Sequence, residues 1–456
     1  MALFAHESHR RVTSAPSRPT DPRAAVAAFL SFLFPGLGQA YNRQGRLSAA
    51  LAGPTALVVA ALLFGLAIGG TGLSLLVDRR FLIGLLLLDL GLLGWRLIAM
   101  LQAHARRDGF DSRRWTTWVT GLLVVATLGM HLLPAWYAVK AIDTLGSVAL
   151  GGTGGFRDDL ADVFPHLSRL PTPSAKPAAN ARVNILLVGI DSLPNRVTAL
   201  TDTMLVVSLA TDGGPSAMIS VPRDLYGVPL PDGTPFNGKL NSLMSYAAYD
   251  PAQFPAGGVE TLKATIGGLL GIPIQYFAAV KMLGFKDAID AVGGVDVTVV
   301  SAVNDPGYYD EYDQPGGFYV QPGTYHMDGH FALAYVRSRM GAGDSDFTRA
   351  DRQQQLLTAL QQQLTAANLL LSLPDLLDAV KSSVATDVPS DQIPLLAQAL
   401  HDADFAQLRR VVLQPPTFMS VDANSPAGYI LLPDLEAIRA AVAKLVALLP
   451  SPTPAP

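Results

Sequence analysis

Three apolar runs, near 49–77, 81–101 and 115–138, decide what the first third of this 456-residue chain can become. A hydrocarbon core about 30 Å thick takes about 20 helical residues to cross, and each run is long enough. The first contains Gly53, Pro54, Gly69 and Gly70, which membrane helices tolerate. The second, FLIGLLLLDLGLLGWRLIAML, carries Asp89 and Arg96 seven residues apart on one helical face. These two are expected to satisfy each other between helices or to snorkel at the ends of the run. Residues 24–41, AAVAAFLSFLFPGLGQAY, are shorter and interrupted by Pro35-Gly36, so a re-entrant or interfacial segment is expected there.

The arginines orient these runs. Arg10, Arg11, Arg18 and Arg23 precede them, Arg43 and Arg46 lie before the first crossing, and Arg106, Arg107, Arg113 and Arg114 separate the second from the third. The positive-inside rule makes these segments cytoplasmic, including a tail over 1–23, and three crossings then place everything after residue 139 outside. Charge divides the chain in the same place. Residues 1–140 hold 14 Lys and Arg against 6 Asp and Glu, a net +8, and the formal total of −4 leaves −12 for the remainder. A basic, apolar anchor joined to an acidic external domain is the expectation. The absence of cysteine excludes disulfides, thiolate metal sites and cysteine nucleophiles.

Residues 139–181, with GGTGG and PTPSAKPAANA, read as a stalk with some helical content, and PSPTPAP within 449–456 as a disordered tail. Between them, over 182–448, short β-branched runs alternate with helical patterns. RVNILLVGI (182–190), TMLVVSL (203–209) and SAMISV (216–221) read as buried strands, followed by strands at 274–281, 295–300 and 407–413. Helices are expected at 258–270, 284–292, 328–336, 346–370, 374–385, 390–401 and 432–448. The fold class is α/β, with a central mixed sheet flanked by helices.

Four constellations in this domain could carry chemistry. Asp191 follows the first strand and Asp202 lies eleven residues on, where open α/β sheets bind ligands. Two carboxylates there could hold a hard divalent cation, although aspartate at a strand end is also a common turn former. Arg223, in Pro222-Arg223-Asp224, follows the third strand and offers a planar fork to phosphate oxygens, or a local bridge to Asp224. Arg337 and Arg339 in AYVRSRM share a face only if the chain leaves its helix there; otherwise they form an exposed charged end. In DSDFTRADRQQQLL, Asp346 suits a helix N-cap, Arg349 and Gln353 share a helical face, and Arg352 and Gln354 are expected to cover the surface. Arginines clustered within an acidic domain point to a small anionic ligand and argue against nucleic acid.

The blocks NILLVGIDS, DTMLVVSL, SVPRDL, GKLNSLMSYA, the long run from GGVETLKATIGG to VGGVDV, and ALAYVRSRMGAGDSDFTRADRQQQLL occur in this order over about 182–370. Together they resemble the LytR-CpsA-Psr family. The resemblance implies a membrane-anchored, extracytoplasmic phosphotransferase of cell wall biogenesis. Such an enzyme moves a glycopolymer such as wall teichoic acid, capsule or arabinogalactan from a polyprenyl-pyrophosphate carrier to a peptidoglycan acceptor. It further implies that Asp191 and Asp202 hold Mg²⁺ (or Mn²⁺) at the pyrophosphate. Arg223, Arg337, Arg339, Arg349 and Gln353 would bind its oxygens, Asp346 would orient the arginines, Lys239 in the GKLNS block is a further substrate-binding candidate, and apolar helices and sheet would enclose the prenyl tail.

Two features depart from the family pattern. An arginine usual two positions before the DT aspartate is Leu200 here, with Arg196 nearby in the same loop, and three membrane helices replace the common single anchor. A lipid-pyrophosphate-binding regulator and a lipid-pyrophosphate hydrolase are the alternative readings.

Overall fold

The computed structural model describes residues 22–68, 75, 77–105, 114–148, 156, 158, 160, 182–190, 201–210, 215–310, 312–363, 366–402 and 408–447. The chain forms two compact units, residues 1–70 with 85–136, and residues 71–84 with 137–456.

The first unit is helical. Its chain begins with α1 (Arg23–Leu33) and α2 (Leu37–Tyr41), followed by α3 (Gly45–Ile68); α4 (Arg79–Ala105) and α5 (Arg114–Ser147) extend beyond it. Pro35 cannot continue α1, and Gly36 turns the chain with φ +99°, so the expected interruption is found between two short helices. At about 1.5 Å per residue, the 11-residue α1 reaches roughly half the thickness of a hydrocarbon core. A Cβ on Gly36 would lie 2.6 Å from the Ser48 carbonyl oxygen, and one on Gly38 would collide with Ala27 O. Only glycine therefore permits this approach. Buried Gln39 locks it: its Nε2 donates to Ala99 O at 2.6 Å and to Gln102 Oε1 at 2.9 Å, while Ser31 Oγ donates to its Oε1 at 3.2 Å. Satisfying each buried polar atom this way avoids a desolvation cost of about 1–3 kcal/mol apiece.

Two helices are long and apolar enough to cross a membrane, Arg79–Ala105 and Trp115–Ser147, and only 6% and 17% of their most apolar windows are buried inside the chain. That exposure is unlike the core helix of a water-soluble domain. Within α3, residues Gly45–Ala61 form a further apolar helical stretch among the described residues. The expected Asp89–Arg96 pair is not formed. Seven residues along a helix separate side chains by about 10 Å. Asp89 Oδ1 instead meets His131 Nδ1 of α5 at 2.8 Å.

The second unit is an α/β domain. Its first half runs β1 (Val183–Ile190), β2 (Thr201–Leu209), β3 (Ala217–Ser220), α6 (Leu240–Tyr249), α7 (Gly257–Leu270), β4 (Tyr276–Lys281) and α8 (Met282–Ala291). Next come β5 (Val295–Val299), β6 (Val303–Asp305), β7 (Phe318–Val320), β8 (Gly323–Met327), α9 (Gly329–Arg337), α10 (Asp346–Gln363) and α11 (Ala366–Ser383). The chain closes through β9 (Val384–Thr386), α12 (Ile393–Asp402), β10 (Arg409–Val412), β11 (Met419–Ser425), β12 (Gly428–Pro433) and α13 (Leu435–Val446). Six strands form a mixed sheet in the order β10-β3-β2-β1-β4-β9. β1 pairs antiparallel with β2 and parallel with β4, and β3 pairs parallel with β10.

One core gathers α6, α7 and α13 against this sheet through residues such as Leu186, Val206, Leu243, Ile266 and Ile438. A second packs the β5–β8 and β6–β7 pairs against α9 and α10, around Val297, Phe318, Leu333 and Leu356.

The expected strands appear, but α6, β6 to β9, β11 and β12 were not expected; of these, β6, β7 and β9 hold three residues each, too few for periodicity. The segment read as a stalk is partly structural: α5 continues to Ser147, and Phe156 and Leu160 are buried in the first core. The helix expected at 346–370 ends at Gln363. Residues 161–181 and the tail 449–456 lie outside the described residues.

A buried ion triad ties α7 to the sheet. Lys263, 3% exposed, contacts Asp387 Oδ2 at 2.6 Å and Glu260 Oε1 at 2.8 Å, and Asp387 Oδ1 accepts from Phe277 N. Burial pushes the Asp387 carboxyl up, against the opposing pull of Lys263. Lys263→Met is expected to cost about 3–5 kcal/mol, lowering the thermal midpoint of the detergent-solubilised chain by roughly 10 °C. Because the folded-state pKa of Asp387 is raised, the deficit is full above that pKa and shrinks as acid protonates the carboxyl, so the midpoint gap between variant and wild type is expected to narrow from pH 7 toward pH 4.

Candidate functional site

The site forms where three adjacent strands present their ends at one edge of the sheet. β1 and β2 run antiparallel, with Ile190 opposite Thr201, so residue 202 lies beside the exit of β1. A Cβ on Gly189 would lie 2.9 Å from Thr203 Cβ, which explains the glycine at this irregular register. β3 runs back along β2, and Val221 N donates to Met204 O at 2.9 Å, which delivers Arg223 to the same edge. The start of α10 closes over it.

Arg223 lies between carboxylates. Its Nη1 donates to Asp202 Oδ1 at 2.6 Å and its Nε to Asp346 Oδ2 at 3.0 Å, with Asp224 Oδ2 3.7 Å away. Asp346 also meets Arg339 Nη1 at 3.4 Å and Arg349 Nη2 at 3.3 Å, so one carboxylate faces three guanidinium groups. Arg349 is 8% exposed, donates to Asp202 O at 3.2 Å, and has a buried Nε with no partner among the described residues. Burial pushes its pKa down, and Asp346 only partly offsets this. Burial also acts against the charge of Arg223, but Asp346 and Asp202 outweigh it and raise the pKa. Lys239 Nζ contacts Asp224 Oδ1 at 2.8 Å. Asp202, Arg223, Asp346 and Arg349 line a small cleft with Thr203, Pro222 and Phe347.

The geometry thus gathers Asp202, Arg223, Arg339, Asp346 and Arg349, with Lys239 joined through Asp224. Gln353 Nε2 donates to Thr203 Oγ1 at 3.0 Å and to Val336 O at 3.3 Å, so it shares the Arg349 face and holds α10 to β2 and α9. The chain does leave its helix after Arg337, because Ser338 is extended (φ −58°, ψ 135°). Arg337 lies over the Tyr308 ring at 5.8 Å and has no carboxylate partner among the described residues. Asp191 lies outside the described residues, as do Arg196 and Leu200.

Three expectations fail. Asp346 is the first residue of α10 and not its N-cap: Ser345 precedes the helix, and its Oγ accepts from Thr348 N at 3.2 Å. Arg352 and Gln354 are buried and do not cover the surface. Arg352 Nη1 contacts Asp344 at 2.8 Å, its Nη2 donates to Ser338 O, and its guanidinium stacks 5.5 Å from the Tyr335 ring. Gln354 Nε2 donates to Ser220 Oγ at 2.9 Å and to Val411 O at 3.1 Å. The reason is that α10 packs against both the sheet edge and the second core, so more than one of its faces is covered. Asp305, within the DPGYYDEYDQPGG loop, was missed altogether. It is 1% exposed and takes donors from the Arg339 loop, and no sequence pattern marks an aspartate as internal.

Among the described residues no group of three or more acidic or histidine side chains is arranged around a metal position. Asp202 nevertheless keeps Oδ2 without a partner among those residues, and a hard cation accepts a few carboxylate oxygens when phosphate oxygens complete its shell.

The LytR_cpsA_psr family model matches residues 166–425. A Bacillus cereus protein named polyisoprenyl-teichoic acid–peptidoglycan teichoic acid transferase TagU is 31% identical over 49% of this chain and 66% of its own length. TagU of a second Bacillus cereus strain is 30% identical over 60% of this chain and 80% of its own. The crystal structure of Bacillus subtilis TagV aligns at 26% identity over 59% of this chain and 99% of that one, with a TM-score of 0.46.

Asp346 holds together cations that would otherwise repel. Asp346→Ala is expected to destabilise the protein by about 3–5 kcal/mol, since truncation leaves partly buried charges uncompensated. Added sulfate or phosphate should restore part of that loss by occupying the vacated position, and it should do so less in wild type. Thermal midpoints measured with and without the anion check this; equal anion effects on both proteins would contradict it.

Proposed function

Because this chain belongs to the LytR-CpsA-Psr family, we propose that it transfers a glycopolymer from a polyprenyl-pyrophosphate carrier to a hydroxyl of peptidoglycan, forming a phosphodiester. The observation that carries this reading is the convergence of Arg223, Arg339 and Arg349 on the single carboxylate of Asp346, beside Asp202. A carboxylate facing several guanidinium forks occupies the kind of position a phosphate group takes. The names of the TagU relatives, which specify teichoic acid and peptidoglycan, support the same substrate class.

In this reading, Arg223, Arg339 and Arg349 bind the diphosphate oxygens, and Arg337, Lys239 and Gln353 complete the polar wall. The acceptor hydroxyl oxygen forms a bond to the phosphorus that carries the sugar. The bond from that phosphorus to the bridging oxygen breaks, the polyprenyl phosphate departs with that oxygen, and the hydroxyl proton passes to solvent. Charge on the equatorial and leaving oxygens is met by guanidinium groups already in place, so catalysis is mainly positional and electrostatic. Asp191 and Asp202 would hold Mg²⁺ or Mn²⁺, which would supply further neutralisation of phosphate charge.

The carrier is confined to a bilayer, which gives the apolar helices a purpose. We propose three crossings, α3 to α5, a cytoplasmic N-terminus, and a catalytic domain on the outer face, following the arginine distribution.

The test incubates the purified full-length chain with a lipid-diphosphate glycan, Mg²⁺ and a peptidoglycan fragment. Ligated glycan is the expected product. Lipid phosphate released without ligation would identify a hydrolase, and binding without turnover a regulator. Arg223→Ala is expected to lower turnover by about 10²–10³-fold, the usual cost of removing a preorganised donor at developing charge. Asp202→Asn should abolish the stimulation by Mg²⁺ in the same assay.

A further inference from the structure

Another carboxylate, Asp305, lies outside the arginine cluster and contacts the loop that carries Arg339. Asp305 ends β6 and is 1% exposed. Its Oδ2 accepts three donors: Ser338 Oγ at 2.7 Å, Arg339 N at 2.9 Å and Met340 N at 3.0 Å. Its Oδ1 accepts Gly307 N at 3.2 Å. Asp305 has no cationic partner among the described residues. A buried carboxylate without a counter-cation is tolerable only where several donors replace water, and here the donors come from the stretch that separates Arg337 from Arg339 and follows it.

The consequence for the chain is specific. α9 ends at Arg337, and Ser338, fully buried, turns its hydroxyl to Asp305. The adjoining N–H groups of Arg339 and Met340 converge on the same oxygen. One buried atom therefore fixes the backbone from which the Arg337 and Arg339 side chains depart. A second observation agrees: a Cβ on Gly341 would collide with Asn304 O, so the loop lies flush against β6. Arg337 also rests on Tyr308, three residues after Asp305. The β6–β7 pair and its turn are the seat of the arginine loop.

We propose that Asp305 is a positioning residue for diphosphate binding, acting through the Ser338–Met340 backbone to hold Arg337 and Arg339 at the spacing the ligand needs. This rests on the reading that these arginines bind a diphosphate. Asp305→Asn keeps the shape but replaces one acceptor oxygen with a donor, so at least one of the four bonds is lost.

Isothermal titration of the full-length chain in detergent with farnesyl diphosphate reads the effect. For Asp305→Asn, Kd is expected to rise by roughly tenfold or more with stoichiometry per folded molecule unchanged, and for Ser338→Ala by roughly threefold, since the carboxylate keeps its other three donors. Amide exchange at Arg339 and Met340 should accelerate by at least about tenfold in Asp305→Ala, since these donors lose their acceptor. An unchanged Kd in both variants, or reduced stoichiometry at unchanged Kd, would overturn the assignment and leave Asp305 a structural residue. Unchanged exchange would overturn it as well. If wild type binds no diphosphate, the proposed function and the ligand named here both fall, while the exchange measurement still reports separately whether Asp305 holds the loop.

Discussion

The arrangement of this site depends on one carboxylate being shared among guanidinium groups that would repel one another without it. Asp346 meets Arg223, Arg339 and Arg349, which come from three separate parts of the chain: the exit of β3, the loop after α9, and the first turn of α10. Guanidinium groups stay charged in proteins, so the cluster cannot relieve itself by losing protons. It has to be neutralised by carboxylates already present or by an anion that arrives. Among the described residues the Nε of buried Arg349 has no hydrogen-bond partner.

The rest of the domain serves that constraint. The antiparallel pairing of β2 with both β1 and β3 brings the start of one strand beside the ends of its neighbours, which places Asp202 against Arg223. Gln353 and Gln354 pin α10 to that edge, and Arg352 fastens it to the loop after α9 through Ser338 O. Asp305 fixes the same loop from the opposite direction. Residues outside the cluster thus determine where its charges lie. The helical unit follows a different constraint. Its exposed apolar surface, including Leu57, Leu87, Trp118 and Leu122, suits hydrocarbon, while its close contacts rely on glycine and on a satisfied glutamine.

Much of this was readable beforehand because it is written in local pattern. Strands β1 to β4 are apolar and β-branched, and the Pro35-Gly36 break follows from the chemistry of those two residues. Arg349 and Gln353 reach the same strand because a helix places i and i+4 on one face. The errors share a cause. Arg352 and Gln354 are polar and were assigned to the surface, yet both are buried because α10 is covered on more than one side. Asp89 was paired with Arg96 on its own helix, but the partner is His131 on another.

By itself, the sequence determined which segments are apolar enough for lipid, where strands alternate with helices, and which side chains bear charge suited to a phosphate. These are properties of short stretches, set by backbone geometry and transfer free energy. Only the tertiary structure decided which charges meet, that Asp346 is shared by three arginines, and that Asp305 lies beneath the loop that carries Arg339. Such pairings depend on strand register and on which helix faces are covered, and both are settled by packing between residues more than a hundred positions apart, as Arg223 and Asp346 are.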